Sequence, residues 1–375
     1  MMNAELLTLS VFAALQLHCC TSSGKCDTSY SEVVDSTEII VDSNRVSSRN
    51  MPDTLTISLS GDIMMGTTYP NTALPANDGR DLFSDVKPFL QDADLAVGNL
   101  EGTLSSGLQC AKRKSAHTFA FSTPPSYVAN LKDAGYDFLS MANNHAMDFG
   151  VAGVKSSEMA LDSEGIKYAG IKGRTSMAVV ERNGVRFGLC AFGHNGYTYR
   201  TQELAGVKTI LDSLKQCSDI VIVSFHGGAE GSDKGRLPYG KEIFLGEDRG
   251  SLREFARFCI DNGADIVYGH GPHVVRCVEV YKNRFIAYSL GNFCTPYGMN
   301  LTGTLGYAPV ITVKVGPDGG FISGKIHPFI QRRGVGPRHD TAGIVINHIK
   351  NLTQQDIKDS KVSILPSGEI KLNNK

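Results

Sequence analysis

The chain has 375 residues, a formal net charge of −1 and 20% charged residues. That length is enough to bury a large core, as one large domain or as two small ones. The sequence has no run of basic residues and no interleaving of basic with aromatic residues. Because binding to phosphate backbones needs clustered positive charge, no nucleic-acid partner is expected.

The N-terminal segment resembles an export signal followed by a tether. The apolar run 6–17 is too short to span a bilayer and has the length of a signal h-region. Cys20 follows it, in the position of the acylated cysteine of a bacterial lipoprotein. Residues 21–50 are rich in Ser, Thr and Asp and are expected to be flexible. We therefore expect a leader at 1–20, a tether at 21–50 and a single domain at 51–375. The protein would be exported to the periplasmic side of the cell envelope and held at the membrane by its lipid. A buried N-terminal helix is the alternative.

The first two strand-like stretches of the domain end in polar side chains. An alternating stretch at 55–61 leads to Asp62, and an apolar stretch at 94–98 leads to Asn99 and Glu101. A turn residue is the simplest interpretation of an Asp after a Gly. A carboxylate directly after a buried strand is different, since it must be solvated or paired.

The third stretch is the most informative. An apolar run at 136–142 has the length of a buried strand and changes abruptly to Asn144, His145 and Asp148 before an amphipathic helix over 150–165. Polar groups in this position lie at the carboxyl edge of a sheet, where α/β folds bind ligands. For this stretch alone, a helix-capping turn with Asn143 or Asn144 as N-cap and a solvated His145 is the alternative.

The last two stretches of this kind deliver histidines. Both 219–225 and 264–268 are apolar and typical of buried strands. Between them, 231–250 is rich in glycine and charge and is predicted to be a loop or lid. The polar residues that follow the two strands are His226, Glu230, His270 and His273.

Local turn signals predict further elements. Asn183 and Gly184 indicate a type I′ hairpin within 178–192. The alternating runs 310–315 and 321–330 are predicted to be antiparallel edge strands.

The polar residues at the five strand ends predict a metal site. Carboxylate oxygens and imidazole nitrogens suit Mn, Fe or Zn better than calcium. Two adjacent divalent ions of this kind can hold a phosphate-like anion and generate a hydroxide nucleophile at neutral pH. We therefore expect two divalent metal ions and a substrate that is an anionic polymer or contains phosphate.

Six ordered motifs between Leu55 and Phe293 resemble the CapA family of poly-γ-glutamate capsule biosynthesis accessory proteins, which are related to the calcineurin-like metallophosphoesterases. These motifs are Gly61-Asp62, Gly98-Asn99-Leu100-Glu101, Asn144-His145-x-x-Asp148, His226-x-Gly228-x-Glu230, Gly269-His270-x-Pro272-His273 and Ser289-Leu-Gly-Asn292-Phe293. The resemblance implies an α/β fold, a four-layer α/β/β/α sandwich with mixed sheets and with the site at the strand ends.

The resemblance also implies a role for each site residue. The implied metal ligands are Asp62, Glu101, Asn144, His226, His270 and His273, with Glu101 as the bridge. His145 would be a general acid oriented by Asp148. The residues expected to support ligands or to contact substrate are Asn99, Glu230, Arg276 and Asn292. A solvated side chain is the alternative for Arg276.

One departure from the related phosphoesterases bears on activity. Met64 stands where they have a histidine. Two functions therefore remain. The chain is either a metal-dependent hydrolase of phosphoester type that acts in capsule or poly-γ-glutamate biosynthesis, or a non-catalytic subunit of a membrane-bound complex that makes and exports such a polymer.

Overall fold

The computed structural model describes residues 51–113 and 119–373. The expected leader, the acylated Cys20 and the tether lie outside these ranges, so they remain predictions. Within the described ranges, no helix combines the length and the apolar character needed to cross a lipid bilayer.

The buried strands expected at 55–61, 94–98, 136–142, 219–225 and 264–268 and the helix expected over 150–165 are present, with shifts at their ends, whereas the run 321–330 is divided between strands of two different sheets. The helices are α1 Lys87–Gln91, α2 Val128–Ala134, α3 Gly150–Ser163, α4 Leu204–Cys217, α5 Leu252–Asp261 and α6 Ile344–Asp356. The strands are β1 Leu55–Ile63, β2 Leu95–Leu100, β3 Thr103–Leu104, β4 Ser122–Thr123, β5 Phe138–Ser140, β6 Lys167–Ala169, β7 Met177–Arg182, β8 Val185–Phe192, β9 Ile220–His226, β10 Ile243–Phe244, β11 Glu247–Asp248, β12 Ile266–His270, β13 Val278–Tyr281, β14 Arg284–Ala287, β15 Asn292–Cys294, β16 Val310–Val315, β17 Phe321–His327, β18 Phe329–Arg332, β19 Gly336–His339, β20 Val362–Ile364 and β21 Glu369–Leu372.

Two mixed sheets make up the centre of the described structure. The first has the order β20-β21-β17-β16-β1-β2-β5-β6, and β15 also pairs with β1. The second has the order β13-β14-β12-β9-β8-β7. Neighbouring strands are parallel from β1 to β6 in the first sheet, and from β8 through β9 and β12 to β14 in the second.

The largest core cluster lies between the two sheets. It contains Leu59 and Val97 from the first sheet together with Leu189, Ile222 and Tyr268 from the second. We call the sheet faces that meet here the inner faces. On them, apolar side chains from both sheets exclude water.

Helices cover the outer face of each sheet. Leu131 of α2 and Val154 of α3 belong to the core cluster on the first sheet. Leu211 of α4 and Phe255 of α5 belong to the cluster on the second sheet. The expected four-layer α/β/β/α sandwich with mixed sheets is therefore confirmed. Both faces of β9 are buried, which explains why its sequence is a continuous apolar run.

One turn prediction is confirmed and one strand prediction is corrected. Asn183 and Gly184 have φ values of 51° and 78°, as a type I′ turn between β7 and β8 requires. The strands β16 and β17 are antiparallel as expected, but they are not edge strands. The C-terminal hairpin β20–β21 pairs with β17 and so places both inside the sheet.

Candidate functional site

Strand register brings polar residues of both sheets together. Asp62 lies opposite Asn99 of β2 and Asn292 of β15. His226 and His270 lie opposite each other at the ends of β9 and β12. All five are buried. The ends of parallel strands meet at one edge, which is the position predicted for the site.

A bulge in β1 directs Asp62 to the inner face. Leu59 pairs with Val97, but the next pair is Asp62 with Asn99, so β1 contains one extra residue. Side chains alternate between the faces of a strand, and one extra residue reverses that alternation. Gly61 allows this close approach, because a Cβ there would lie 2.1 Å from the carbonyl oxygen of Gly291.

A chain of amide groups links the two buried carboxylates. The side-chain nitrogen of Asn99 donates to Asp62 Oδ1 at 2.9 Å and to Glu101 Oε2 at 2.6 Å. The side-chain oxygen of Asn99 accepts a hydrogen bond from the side-chain nitrogen of Asn143 at 3.0 Å. Asn143 thus fixes the orientation of Asn99. Sequence reasoning treated Asn143 only as a candidate helix cap, although it belongs to the same polar cluster as Asn144.

The histidines face these carboxylates. Nδ1 of His273 lies 3.1 Å from Asp62 Oδ2 and 3.0 Å from Asn292 Oδ1. Nδ1 of His270 lies 3.1 Å from Asp62 Oδ1, and Nε2 of His226 lies 3.4 Å from Glu101 Oε2. The expected ligands from both sheets therefore come together, with Asp62 and Glu101 at the centre.

Burial and neighbouring charge shift the pKa values in opposite directions. Burial, reinforced by the charge of Asp62, raises the pKa of Glu101 to about 7. Burial also lowers the pKa of His226 well below its ordinary value, so this imidazole is neutral. Burial alone would lower the pKa of His273, but its hydrogen bond to Asp62 and the surrounding carboxylates raise it to about 9. A neutral imidazole is the form that binds metal ions.

Several buried oxygen and nitrogen atoms that could ligate a metal have no hydrogen-bond partner among the described residues. This observation tests the expected metal site. They are Glu101 Oε1, Asn144 Oδ1, both ring nitrogens of His226 and Nε2 of His270. Nδ1 of His270 has only the ion-pair contact with Asp62 Oδ1 described above. Leaving such groups unpaired costs free energy. Their oxygen and nitrogen chemistry is that of a divalent-metal site, so they fit the expected ions. Within the described ranges, however, no three His, Cys, Asp or Glu side chains are arranged to hold one ion as they stand.

His145 and Asp148 form a second polar group beside the carboxylates. Nδ1 of His145 lies 2.9 Å from Asp148 Oδ2, which also accepts from the Phe121 backbone N–H at 2.7 Å. Nε2 of His145 lies 4.0 Å from Glu101 Oε1. The capping alternative is not what the structure contains, because the N-cap residue of α3, Phe149, makes no side-chain capping hydrogen bond and His145 is only 6% exposed.

Sequence reasoning missed two side chains at the site. Lys112 Nζ lies 2.5 Å from Asp148 Oδ1 and 3.2 Å from His145 Nδ1. The buried ring of His194 stacks on His226 with 5.8 Å between centroids. His194 follows β8, the parallel neighbour of β9, so the strand-end pattern could have found it.

Glu230 lies near the site as expected, whereas the placement of Arg276 is a correction. Glu230 accepts from Arg249 at 2.8 Å, and its Oε2 lies 4.0 Å from His273 Nε2. Arg276 is 1% exposed and donates to both carboxylate oxygens of Glu242 at 2.8 and 2.7 Å. It is therefore not solvated, and its guanidinium does not line the cavity at the strand ends. It binds Glu242 because a buried guanidinium needs a counter-charge.

A cavity of about 320 Å³ opens at these residues. His145, Glu230, His273 and Asn292 supply its polar wall. The apolar wall is formed by Phe119, Phe121, Phe244, Met299 and Leu305. The site can therefore accept a ligand with both charged and apolar parts.

Comparison with known proteins identifies the family. The family model described as bacterial capsule synthesis protein PGA_cap matches residues 56–297. This chain belongs to the PGA_cap family. It is similar to the PGA biosynthesis protein CapA of Bacillus subtilis (strain 168), with 30% identity over 67% of this chain and 66% of the relative.

Two further similarities were found, one by sequence and one by structure. The capsule biosynthesis protein CapA of Bacillus anthracis is 30% identical over 66% of this chain and 61% of its own length. The matched regions thus span slightly less than two thirds of the two CapA proteins. A 5′-nucleotidase precursor from Thermus thermophilus has a TM-score of 0.44 at 12% identity, covering 81% of this chain and 59% of that one.

Proposed function

We propose that this PGA_cap protein is a divalent-metal-dependent hydrolase of phosphoester type that serves the biosynthesis of a capsule polymer of the poly-γ-glutamate kind. Its partners would be the anionic polymer or a phosphate-containing precursor, together with membrane-bound subunits of the synthesis complex. The observation that carries the proposal is the set of buried oxygen and nitrogen donors left without partners at the joined strand ends. The names of the relatives, both called CapA, support the polymer assignment.

The residues that would hold the metal ions are Asp62, Glu101, Asn144, His226, His270 and His273. Bound there, the ions would supply a hydroxide nucleophile and positive charge for the substrate anion. The remaining polar residues orient these ligands. Asn99 keeps the two carboxylates in place through its two hydrogen bonds, and Asn292 holds the ring of His273.

His145 would protonate the leaving oxygen. It lines the cavity, and its Nδ1 is fixed by Asp148, so Nε2 is the nitrogen left for proton transfer. Asp148 is itself held by the Phe121 backbone N–H and by Lys112. A proton donor fixed in this way is what general acid catalysis requires.

Metal analysis of purified variants tests the proposal. Glu101→Gln and His226→Ala should each lower the content of bound divalent metal, because each removes a donor from the centre of the site. His348→Ala is the matched control, since His348 lies on α6 and packs against Tyr307. Equal metal content in all these proteins and in the wild type would remove the basis of the site.

A non-catalytic role is the second candidate, and Met64 favours it. Met64 is buried and takes the place in which related phosphoesterases have a histidine, so one ligand of the resembled site is missing. A screen of phosphodiester and amide hydrolysis on the metal-loaded protein separates the two functions. Bound metal without turnover would favour an accessory subunit that binds the polymer.

A further inference from the structure

A second cavity, of about 440 Å³, adjoins the segment that follows Glu230. Gly231 of this segment lines the first cavity, whereas Lys234 and Tyr239 line the second. The two cavities are therefore lined by neighbouring parts of one stretch of chain. None of the residues assigned to the metal site lines the second cavity.

The second cavity carries more positive than negative charge. Its cations are Lys234, Arg236, Arg253, Arg276 and Lys358, and its carboxylates are Asp233, Glu242 and Asp356. Three of the cations pair with the three carboxylates at 2.5, 2.6 and 2.7 Å. Within the described ranges, Arg253 and Lys358 have no carboxylate partner. Two positive charges are thus left over.

Arg253 is the less usual of the two. It is only 4% exposed, yet in the described part of the chain its Nη2 donates only to the backbone carbonyls of Leu237 and Asp356, each at 3.1 Å. Its buried Nε has no acceptor among the described residues. A guanidinium this deeply buried is ordinarily paired with an anion, because desolvating a charge is costly.

An exposed aromatic ring adds to the site. The guanidinium carbon of Arg253 lies 4.3 Å from the ring centroid of Tyr239, and Tyr239 is 69% exposed. The tyrosine covers one face of the guanidinium by a cation–π contact. Such a contact leaves the edge of the planar group for ligands that bind in its plane.

We propose that this cavity is an anion-binding subsite in which Arg253 and Lys358 bind carboxylate groups of an acidic chain. A carboxylate is planar and matches the donor geometry of a guanidinium, and the two unpaired cations can accept one or two such groups. The choice of a glutamate-type chain rests on the proposed function, whereas the need of Arg253 for an anion does not. A chain bound here would extend along the 231–239 segment toward the first cavity.

Titration calorimetry of the full-length protein with a short γ-linked glutamate oligomer tests the subsite. Arg253→Gln should weaken binding about tenfold or more, because it removes a charge-assisted interaction in a buried setting. Lys358→Gln should weaken it about two- to fivefold, since this lysine is exposed and its charge is screened. Lys361→Gln is the matched control: this exposed lysine lies outside the cavity and loses the same charge.

The outcomes separate the subsite from the metal site. Equal affinity of the oligomer for wild type, Lys358→Gln and Lys361→Gln would overturn the proposal, and this comparison stands even where Arg253→Gln does not fold. Absence of binding by both the oligomer and inorganic phosphate would also overturn it. Phosphate binding that depends on Arg253, without oligomer binding, would keep the anion subsite and refute the glutamate-type ligand. The metal content of the Arg253→Gln, Lys358→Gln and Lys361→Gln variants should equal that of the wild type. A wild-type protein that binds the oligomer but contains no metal would count against the proposed function and not against the subsite.

Discussion

Replacing Arg276 by methionine should destabilise the domain, because it breaks a buried ion pair. Arg276 donates to Lys234 O at 3.0 Å and to the two oxygens of Glu242. In Arg276→Met, the backbone N–H of Ala229, at 3.0 Å, would be the one donor that the described residues still offer to the buried carboxylate of Glu242. Its charge would then have no counter-charge in this contact.

The expected loss is large for a single substitution. Removing one partner of a buried ion pair costs about 3–5 kcal/mol of the free energy of unfolding. For a domain of this size, each kcal/mol lowers Tm by roughly 2 °C. The variant should therefore melt about 6–10 °C below the wild type.

A double variant distinguishes a lost ion pair from a lost contact. Arg276→Met combined with Glu242→Leu should recover most of the stability, since no unpaired charge is left in the protein interior. Differential scanning calorimetry of the wild type, both single variants and the double variant measures this coupling. Lys282→Met serves as a control, because Lys282 and Asp261 form an exposed pair and its Tm should stay at the wild-type value.

Two results would refute this reasoning. If Arg276→Met has the Tm of the wild type but binds the glutamate oligomer more weakly, the guanidinium contacts the ligand and not Glu242. If the two single losses simply add in the double variant, the pair does not act as a unit.

Four further predictions concern the site and the N-terminal segment. His145→Ala should keep its metal and lose turnover by about 10²–10⁴-fold, and loss of metal in this variant would make His145 a ligand instead. Metal affinity measured by calorimetry should rise from pH 6 to pH 9, because bound metal must displace protons from Glu101 and His273. The pKa values of these groups are about 7 and about 9. An affinity that does not change with pH would contradict this prediction. In the metal-free protein the free energy of unfolding should fall as the pH rises from 4.5, the ordinary pKa of a glutamate, to about 7, the pKa of Glu101 in the folded protein. The reason is that burial disfavours the charged form of Glu101 in the folded state. Cys20→Ser should release the protein from membranes, which fractionation and immunoblotting measure, and a wild type already soluble with Met1 intact would refute the lipoprotein leader.

Local sequence patterns predicted the buried strands and the polar residues at their ends because these depend on strand periodicity, whereas the four layers were implied by the resemblance to the CapA family. A continuous apolar run such as 219–225 marks a strand buried on both faces, and the residue that follows it must lie at the sheet edge. Hence His226 and His270 were expected together before the register was known. Their pairing across β9 and β12 agrees with that expectation.

The misplaced residues depend on contacts distant in sequence. Arg276 meets Glu242, which lies inside a glycine-rich segment whose course only tertiary packing determines. The strands β16 and β17 were predicted to lie at an edge because nothing in their own sequence shows that the C-terminal hairpin pairs with β17. Asn143 was given no role at the site because its hydrogen bond to Asn99 joins two strands that are far apart in the chain.

The bulge in β1 makes the site sensitive to chain length at one point. Val97 and Asn99 of β2 are two residues apart, while their partners Leu59 and Asp62 are three apart. If β1 paired regularly at its full length, Gly61 would lie opposite Asn99 and the carboxylate of Asp62 would turn to the outer face, toward the helices. A protein that lost the bulge in this way would keep a complete β1 and lose the first carboxylate of the site, although every site residue would still be present in its sequence. Deleting Ser60 as well would bring Asp62 back opposite Asn99 on the inner face.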